Sequence, residues 1–424
     1  MRVVVQKFGG TCVEFPQSAE LSAERIMEMK DQGISPVAVI SAMGREGQPY
    51  STPDLVNFVR EISPRIEPRE LDLLMSCGEI IATVAMANLL KAKGYDTVAL
   101  SGGQAGLITD FYYGQARIID IRPKQMLQAL AEGRIVFVAG FQGVTAEDHA
   151  ITTLGEGGSD YTAVALAVTF GEIRSTPFGE PLVVEPLEIY KEVDGVLTGN
   201  PKSFVDDEGK PLGEPPRLLP TLTYDELVEM AKLGAQVLQH KASVMARQYR
   251  LPVVVKNFAT NVVGTRIAPE TNLPSGRRVT ATADLTKLIV FDVVSDDPRL
   301  GRQLGEALAM NRLSSYEVSA ATGRVRFAVK AERYRDVQAM LDHVFYDRGL
   351  KAKINEDDWA LISLVGEGMR GGVPALQDDA DAALKAAKIE TFGEIEGPLS
   401  LSYLVREADR RRALARLHEE FVLA

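Results

Sequence analysis

Residues 1–13 read MRVVVQKFGGTCV, an apolar run that leads directly into a lysine and two glycines. The valines at 3–5 predict a buried strand, and Gly9 and Gly10 predict a tight turn at its carboxyl end. Glycines at such a turn let backbone amides approach a phosphate, and Lys7 at the strand end can neutralise phosphoryl oxygens. The spacing is not that of a Walker A loop, and alone it fits an ordinary tight turn equally well.

The first two thirds of the chain alternate strand-like runs with helical segments, which is typical of a mainly parallel sheet covered by helices. In such a sheet the turns that follow the strands gather at the carboxyl edge, where ligands bind. Further glycine-polar turns fit this pattern, and they read SAMG at 41–44, SGG at 101–103, GFQG at 140–143 and TTLGEGGSD at 152–160. Several such turns in one sheet favour phosphate chemistry, and the last of them opens a helix whose N-terminus can hold an anion.

The elements that surround these turns follow from hydrophobic periodicity. Strands are predicted at 3–5, 36–41, 97–100, 135–139 and 253–255, and helices at 19–30, 79–93, 161–169 and 224–233. Proline-rich and glycine-rich stretches at 176–188 and 203–220 predict surface excursions, and 268–278 predicts an interdomain linker.

Beyond residue 278 the pattern changes to two βαββα units, which is typical of small ferredoxin-like domains. Such tandem units often pair side by side and bind small effectors, although they also serve as plain dimerisation domains. The first unit has its elements at 288–294, 299–311, 316–320, 325–329 and 333–347, and the second at 359–365, 375–388, 390–395, 399–405 and 409–421.

Composition excludes several classes of protein. The chain has 424 residues with 58 acidic and 47 basic side chains, so its net charge of −11 argues against a nucleic-acid or anionic-membrane partner. Two cysteines cannot build a disulfide scaffold or a zinc ribbon, which indicates a reducing, cytoplasmic environment. No signal peptide and no stretch of membrane-spanning length is expected.

The motifs KFGGT, SAMG, LMSCGE, AGFQG, TTLGEGGSD, VDGV and LGAQVL resemble, in this order, those of the aspartate kinases in the amino-acid kinase superfamily. The tandem βαββα tail resembles their paired regulatory ACT domains. The resemblance implies a three-layer αβα kinase domain with a mainly parallel central sheet at 1–277. It also implies two ferredoxin-like βαββαβ domains, at 278–355 and 356–424.

The resemblance also implies the chemistry, which is transfer of the γ-phosphate of ATP, with Mg²⁺, onto the β-carboxylate of L-aspartate. That carboxylate is already ionised at pH 7, so the reaction needs positioning and charge neutralisation more than a base. Carried over by position, the catalytic residues are Lys7 and Asp160, and the chain supplies no metal ligand. The nucleotide contacts are Gly9, Gly10, Ser41, Gly44, Asp194, Gly195 and Lys256, and the substrate contacts are Thr11, Glu79, Phe141, Glu156 and Ser159.

One departure from the family pattern lies at the substrate contacts. The family reads TTLGRGGSD, and its arginine grips a carboxylate of aspartate, whereas this chain has Glu156. A charge pair at about 4 Å is worth about 4 kcal/mol at an effective dielectric near 20, so repulsion in place of attraction weakens aspartate binding. Another basic residue, for example Arg45, can substitute for the arginine. Lys191 and Glu192 also replace the usual Thr-Asp before VDGV.

Three hypotheses therefore remain open. The chain is an aspartate kinase with altered contacts, or a kinase of the same mechanism that acts on a different amino acid or carboxylate. The third hypothesis is a non-catalytic paralogue that binds ATP or an amino acid and regulates a partner. The expected partners are a small amino-acid substrate, an amino-acid effector at the ACT domains, and other copies of the chain in a homodimer or higher homo-oligomer.

Overall fold

The computed structural model describes the whole chain except residues 45–46, 48–49, 177–178, 270–278, 322, 345–350, 371–373 and 423–424. The chain divides into two compact units. Unit 1 comprises Met1–Val196, Leu218–Val228 and Val237–Leu273, and unit 2 comprises Leu197–Arg217, Glu229–Gln236 and Pro274–Ala424.

Unit 1 is built on alternating strands and helices. Its strands are β1 (Arg2–Phe8), β2 (Ser35–Ile40), β3 (Thr97–Leu100), β4 (Leu107–Thr109), β5 (Ile118–Ile121), β6 (Ile135–Ala139), β7 (Gln142–Thr145), β8 (Ile151–Thr153), β9 (Val183–Val184), β10 (Leu187–Lys191), β11 (Thr221–Thr223), β12 (Val253–Asn257) and β13 (Thr265–Ala268). The helices that begin in it are α1 (Gln17–Asp31), α2 (Thr52–Ile62), α3 (Pro68–Ala92), α4 (Lys124–Ala131), α5 (Gly158–Glu172), α6 (Tyr224–Lys232) and α7 (His240–Gln248).

The central sheet has the strand order β11-β13-β12-β10-β1-β2-β6-β3, and β9 pairs with β1. Every pairing in it is parallel except that of β12 with β13. The predicted mainly parallel sheet is therefore confirmed. Because β1 lies in the middle of the sheet, between β10 and β2, the turn after Phe8 lies centrally at the carboxyl edge.

A second, four-stranded sheet of unit 1 has the order β5-β4-β7-β8. Its strands are short, and the sequence pattern predicted none of them. Thr109 and Thr152, which are both buried, lie 2.5 Å apart between their hydroxyl oxygens and link β4 to the strand that leads into TTLGEGGSD.

The predicted surface excursion at 176–188 is wrong at its carboxyl end, because Val183–Val184 and Leu187–Lys191 are strands of the central sheet. Glu188 interrupts the apolar pattern, yet it is buried and accepts a hydrogen bond from Gln6 at 2.9 Å. Most of the predicted linker at 268–278 lies outside the described residues.

Helix α3 begins well before the predicted start at residue 79, and by length and composition alone it could also span a membrane. The sequence analysis expected no stretch of membrane-spanning length, and α3 does reach that length. The inner face of α3 carries the buried polar residues Asp72, Ser76 and Glu79, and its apolar residues Met86 and Leu90 belong to the core of unit 1. These contacts are those of a core helix.

Unit 2 contains the predicted pair of βαββα repeats. The first repeat consists of β14 (Ala281–Val294), α8 (Leu300–Met310), β15 (Tyr316–Ala321), β16 (Arg324–Lys330) and α9 (Tyr334–Val344), and the second of β17 (Lys351–Val365), α10 (Pro374–Ala386), β18 (Glu394–Glu396), β19 (Ser400–Arg406) and α11 (Glu407–Phe421). All six strands form one antiparallel sheet of order β15-β16-β14-β17-β19-β18.

The two long strands β14 and β17 are shared between the repeats. Residues 290–294 of β14 pair with 351–355 of β17, so the start of β17 supplies the fourth strand of the first repeat. Residues 281–285 of β14 pair with 361–365 of β17 and supply the fourth strand of the second repeat. The sequence predicted only 288–294 and 359–365, and it therefore missed both shared halves. The predicted domain boundary at 355/356 falls inside β17.

The predicted excursion at 203–220 belongs mostly to unit 2 and is anchored rather than free. Phe204 is buried in the core that also contains Leu414 and Leu417 of α11. Thr198 lies 2.8 Å from the buried His418 Nε2, and Arg410 donates to the Ser203 hydroxyl at 2.9 Å.

We expect the two repeats of unit 2 to unfold together, because β14 and β17 run through both. Phe291 stacks on Phe327 in the core of the first repeat, with ring centroids 5.2 Å apart, while the only tryptophan, Trp359, is buried in the second. Phe291→Ala is expected to lower the free energy of unfolding reported by Trp359 fluorescence by about 3–5 kcal/mol.

Met310→Ala, at an exposed position of α8, is the control and is expected to change that free energy by less than about 0.5 kcal/mol. An unchanged tryptophan transition in a Phe291→Ala protein whose first repeat has lost structure would show that the repeats unfold independently.

Candidate active site

A buried ion pair lies at the carboxyl edge of the central sheet. Lys7 Nζ, at the end of β1, is 2.7 Å from Asp160 Oδ1, in the first turn of α5, and the two side chains are 10% and 7% exposed. Asp160 also accepts a hydrogen bond from the Gln239 backbone amide at 3.1 Å. The ion pair therefore fixes a lysine ammonium group beside the N-terminus of a helix.

The charge of Asp160 is stabilised by its surroundings. Burial by itself raises the pKa of its carboxyl, but the charges of Lys7 and Lys191 and hydrogen bonds from Lys7 and Gln239 outweigh that effect and hold the pKa below its usual value. Asp160 is consequently ionised at neutral pH, and it orients Lys7.

The motifs KFGGT, SAMG and LMSCGE meet at Ala42. A Cβ atom on Gly10 would lie 2.7 Å from the Ala42 carbonyl oxygen, and one on Gly78 would lie 2.9 Å from Ala42 Cβ. Such separations exclude any side chain at these two glycines without movement of the backbone. These close contacts thus hold together the turn after β1, the turn after β2 and helix α3. Ser41 joins the same contact, since its amide donates to the Phe8 carbonyl at 3.1 Å.

Glu79 brings a carboxylate into this cluster. One of its oxygens accepts a hydrogen bond from the Ala42 amide at 3.2 Å, and the other is buried without a hydrogen-bond partner among the described residues. Burial raises the pKa of the Glu79 carboxyl to about 7. A buried carboxylate oxygen without a partner is costly unless a ligand supplies one, so Glu79 fits a site for a cationic group.

The turn after β6 packs on the N-terminus of α5. A Cβ atom on Gly140 would lie 2.8 Å from Ser159 Cβ, and one on Gly158 would lie 2.9 Å from the Phe141 ring. Phe141 adopts φ +67° and donates its amide to the Thr162 hydroxyl at 3.2 Å. The structure therefore brings Phe141 and Ser159 close to Asp160 at the N-terminus of α5.

Asp194 and Gly195 lie in the turn after β10. Asp194 accepts hydrogen bonds from Asn257 Nδ2 and the Thr260 hydroxyl, each at 3.0 Å. Gly195 has φ +149°, and a Cβ atom there would lie 2.5 Å from Thr265 Oγ1, so only glycine fits. The turn is thus tied to the end of β12.

The structure does not bring Lys256 together with Lys7. Tyr190 is the register partner of both Phe8 and Lys256, so Lys256 lies on the sheet face opposite to that of Lys7. Its ammonium group is 2.5 Å from Glu188 Oε1. This placement does not support the predicted contact of Lys256 with a nucleotide.

The remaining predicted residues lie at the margins of the cluster. Thr11 is partly exposed in the 3-10 turn Gly10–Val13, and Gly44 ends the SAMG turn with φ +86°. Glu156 is exposed between Gly155 and Gly157, both of which have positive φ. Arg45, the predicted substitute for the family's arginine, lies outside the described residues.

Sequence reasoning missed two residues that organise the site. Asp72, about two helical turns before Glu79 on α3, is buried and accepts hydrogen bonds from the Thr153 amide and hydroxyl, both at 2.7 Å. Asp72 thereby ties the start of TTLGEGGSD to α3. In the sequence it is visible only as one acidic residue in the apolar run LDLLMS. Asn257, which holds Asp194, has no signal beyond its position at the end of a strand.

The described residues contain no group of three or more His, Cys, Asp or Glu side chains that could hold a metal ion. A magnesium ion coordinated mainly by protein oxygens therefore does not fit this part of the chain. Mg²⁺ usually keeps several waters and binds through substrate phosphates, a mode that needs few protein ligands.

Comparison with known proteins identifies relatives along the whole chain. Residues 2–257 match the model of the amino acid kinase family. Aspartokinase 1 of Bacillus subtilis is 32% identical over 431 residues, covering 100% of both chains. The aspartokinase of Geobacillus stearothermophilus is 34% identical over 441 residues, covering 100% of this chain and 98% of its own.

Solved structures share the fold. The crystal structure of Escherichia coli aspartokinase III in complex with aspartate and ADP superposes with a TM-score of 0.77 at 20% identity, covering 98% of this chain and 99% of that one. This likeness extends over both the sheet of unit 1 and the repeats of unit 2, which confirms the predicted combination of a kinase domain with ACT-type repeats.

Proposed function

The chain belongs to the aspartokinases of the amino acid kinase family, and we propose that it transfers the γ-phosphate of ATP to the β-carboxylate of L-aspartate at the Lys7–Asp160 site. The observation that carries the assignment of this site is the convergence of the Lys7–Asp160 ion pair with Gly10, Ala42 and Glu79 at one sheet edge. It provides one fixed cation, a narrow backbone cradle and one buried carboxylate.

Lys7 is the catalytic cation in this proposal. Its ammonium group neutralises the negative charge on the transferring phosphoryl oxygens, and Asp160 keeps it charged and oriented. Phosphoryl transfer to an ionised carboxylate requires no proton removal, so the site needs no general base. Positioning and charge neutralisation are what a fixed lysine provides.

The turns after β1 and β2 are proposed to hold the phosphates of ATP. The proposed contacts are Gly9, Gly10, Ser41 and Gly44. Gly10 lets the two turns approach closely at Ala42, and the N-terminus of α5 adds a positive dipole end. Asp194 and Gly195, in the turn after β10, are proposed to border the nucleotide. We propose that Mg²⁺ enters with ATP on its phosphate oxygens.

Glu79 is proposed to bind the ammonium group of aspartate, because its buried second oxygen requires a donor. Thr11, Phe141 and Ser159 would complete the substrate side of the cluster. Glu156 adds a negative charge to the TTLGEGGSD loop that leads into α5. It is therefore expected to weaken binding of a dicarboxylate and to act as a specificity determinant.

The proposed function also includes a cellular location, a pathway, an effector and an oligomeric state. The enzyme is proposed to act in the cytoplasm in the biosynthesis of the aspartate family of amino acids. The shared sheet of unit 2 is proposed to bind an amino-acid effector and to support a homodimer or higher homo-oligomer.

The central test is aspartate-dependent hydroxamate formation from ATP, Mg²⁺ and hydroxylamine. Lys7→Met is expected to lower kcat by about a hundredfold or more, because it removes one preorganised charge from the transition state. Lys124→Met, at an exposed position on α4, is the control and is expected to leave kcat unchanged. Full activity of Lys7→Met would exclude the role given to this lysine.

Aspartate binding is expected to weaken as the pH falls through 7. The pKa of the Glu79 carboxyl is raised to about 7 in the free protein, so the ionised form that binds an ammonium group is lost below that pH. KM for aspartate should rise about tenfold between pH 8 and pH 6, as the ionised fraction falls. KM for ATP over the same range is the internal control. In Glu79→Gln, KM for aspartate should be higher and largely independent of pH, whereas an unchanged pH dependence in that variant would exclude Glu79.

Glu156→Arg tests the departure from the family pattern. Replacing repulsion by attraction is expected to lower KM for aspartate at least tenfold, which is less than a fully buried charge reversal would give because residue 156 is exposed. Glu147→Arg, at another exposed site of unit 1, is the control. If only the Glu156→Arg variant, and not the wild type, phosphorylates aspartate, the wild type is not an aspartate kinase, and a panel of other amino acids and carboxylates then separates a different acceptor from a non-catalytic paralogue.

A further inference from the structure

A second lysine lies beside the catalytic ion pair. Strands β1 and β10 are adjacent and parallel, and Lys7 is the register partner of Ile189. Side chains alternate along a strand, so Lys191, two residues beyond Ile189, lies on the same sheet face as Lys7 and one step nearer the carboxyl edge. The opposite face carries Tyr190 and the Glu188–Lys256 ion pair.

The charges around Asp160 give independent support to this placement. Both Lys7 and Lys191 act electrostatically on the Asp160 carboxylate, and Lys7 and Lys191 act on each other. Lys7 and Lys191 therefore both lie near the Asp160 carboxylate, and Glu192 also acts on Lys191. Cys12 lies beside them, and burial raises the pKa of its thiol, so it adds no negative charge at neutral pH. Two neighbouring lysine ammonium groups at a ligand-binding sheet edge favour an incoming anion.

The chain direction indicates which part of the anion Lys191 would meet. Lys191 is the last residue of β10, and the turn that follows contains Asp194 and Gly195, which we place beside the nucleotide. Lys7 lies near the end of the neighbouring strand β1, just before the turn that contains Gly9 and Gly10. We place Gly9 and Gly10 at the ATP phosphates, so Lys7 lies beside the transferred group and Lys191 lies nearer the turn that borders the rest of the nucleotide, which is the leaving group.

We propose that Lys191 is a second catalytic cation, which contacts the oxygen that bridges the β- and γ-phosphates of ATP while Lys7 contacts the transferred phosphoryl group. The inference rests on the proposed function. In the step, an aspartate β-carboxylate oxygen forms a bond to the γ-phosphorus, the bond to the bridging oxygen breaks, and its electron pair stays on ADP. Lys191 neutralises the charge that develops there, and no proton is transferred.

The protonation of Lys191 gives the proposal a distinct signature. Burial lowers the pKa of its ammonium group, Asp160 from α5 and Glu192 from the same strand end oppose that effect, and Lys7 from β1 adds to it. Cys12, from the turn after β1, also opposes it in its ionised form. A lysine with a lowered pKa loses its charge at alkaline pH earlier than an ordinary lysine, so kcat should decline on the alkaline side.

The test compares Lys191→Met, Lys191→Arg and the control Lys124→Met in the full-length protein, with hydroxamate formation as the assay. Lys191→Met is expected to lower kcat about a hundredfold, with KM for aspartate changed less than about twofold and an unchanged melting temperature. Lys191→Arg is expected to recover most of kcat and to remove the alkaline decline, because a guanidinium group stays charged throughout the range.

Wild-type kcat in Lys191→Met would overturn the proposal for Lys191 while leaving the proposed function intact. A loss of kcat that arginine does not rescue, with the alkaline decline retained in Lys191→Arg, would also overturn it and would indicate a structural role. If the wild-type protein itself forms no hydroxamate with aspartate, the proposed function fails instead, and the Lys191 variants are then compared by binding of ADP in a titration calorimeter. Equal ADP affinity of wild type and Lys191→Met would overturn the nucleotide contact as well.

Discussion

The buried ion pair of Lys7 and Asp160 is the constraint around which unit 1 is organised. Burying two charges costs several kcal/mol per ion, and their attraction seldom repays that cost as net stability. The arrangement is tolerable here because β1 ends in the middle of the sheet and α5 begins directly opposite it, so that the partners meet without displacement. The positive end of α5 also stabilises the Asp160 carboxylate. In the proposed function this pair serves catalysis rather than stability.

Close backbone approach gives this edge its shape. Gly10 and Gly78 leave no room for a side chain next to Ala42, and Gly140 leaves none next to Ser159. These contacts join the turns after β1, β2 and β6 to helices α3 and α5, which carry Glu79 and Asp160. These contacts restrict the positions of the functional side chains, because nothing larger than glycine fits at the three positions. The motifs are therefore recognisable at an overall identity of 32%.

The sequence predicted the parallel sheet, its glycine turns and the paired repeats, because each depends on local periodicity or on glycine. It failed where a buried polar side chain finds its partner far along the chain. Asp284 breaks the apolar pattern of 281–287, and its carboxylate is paired with Arg410. Glu188 obscures β10, and its partners are Gln6 and Lys256.

In the candidate site, too, local motifs were predictable from the sequence and contacts between distant strands were not. Lys7, Glu79 and Asp160 were predicted from ordered motifs, and the structure brings them to one sheet edge. Lys256 was carried over by position from the resemblance, and only strand register shows that it lies on the other face. The role proposed for Lys191 likewise depends on register, since the sequence places it far from Lys7. A linear pattern contains no information about which polar residues become neighbours through pairing of distant strands.

The shared strands of unit 2 determine where its sequence could be divided in evolution. The fourth strand of the second repeat comes from residues 281–285, at the start of β14 and before the part of β14 that pairs with β16 in the first repeat. A gene fragment that started at residue 286 would encode every other strand of both repeats, yet it would leave the second half of β17 as an unpaired edge with apolar residues on its inner face. A break between residues 281 and 365 would separate strands that pair with each other, so we expect the two repeats to be inherited together.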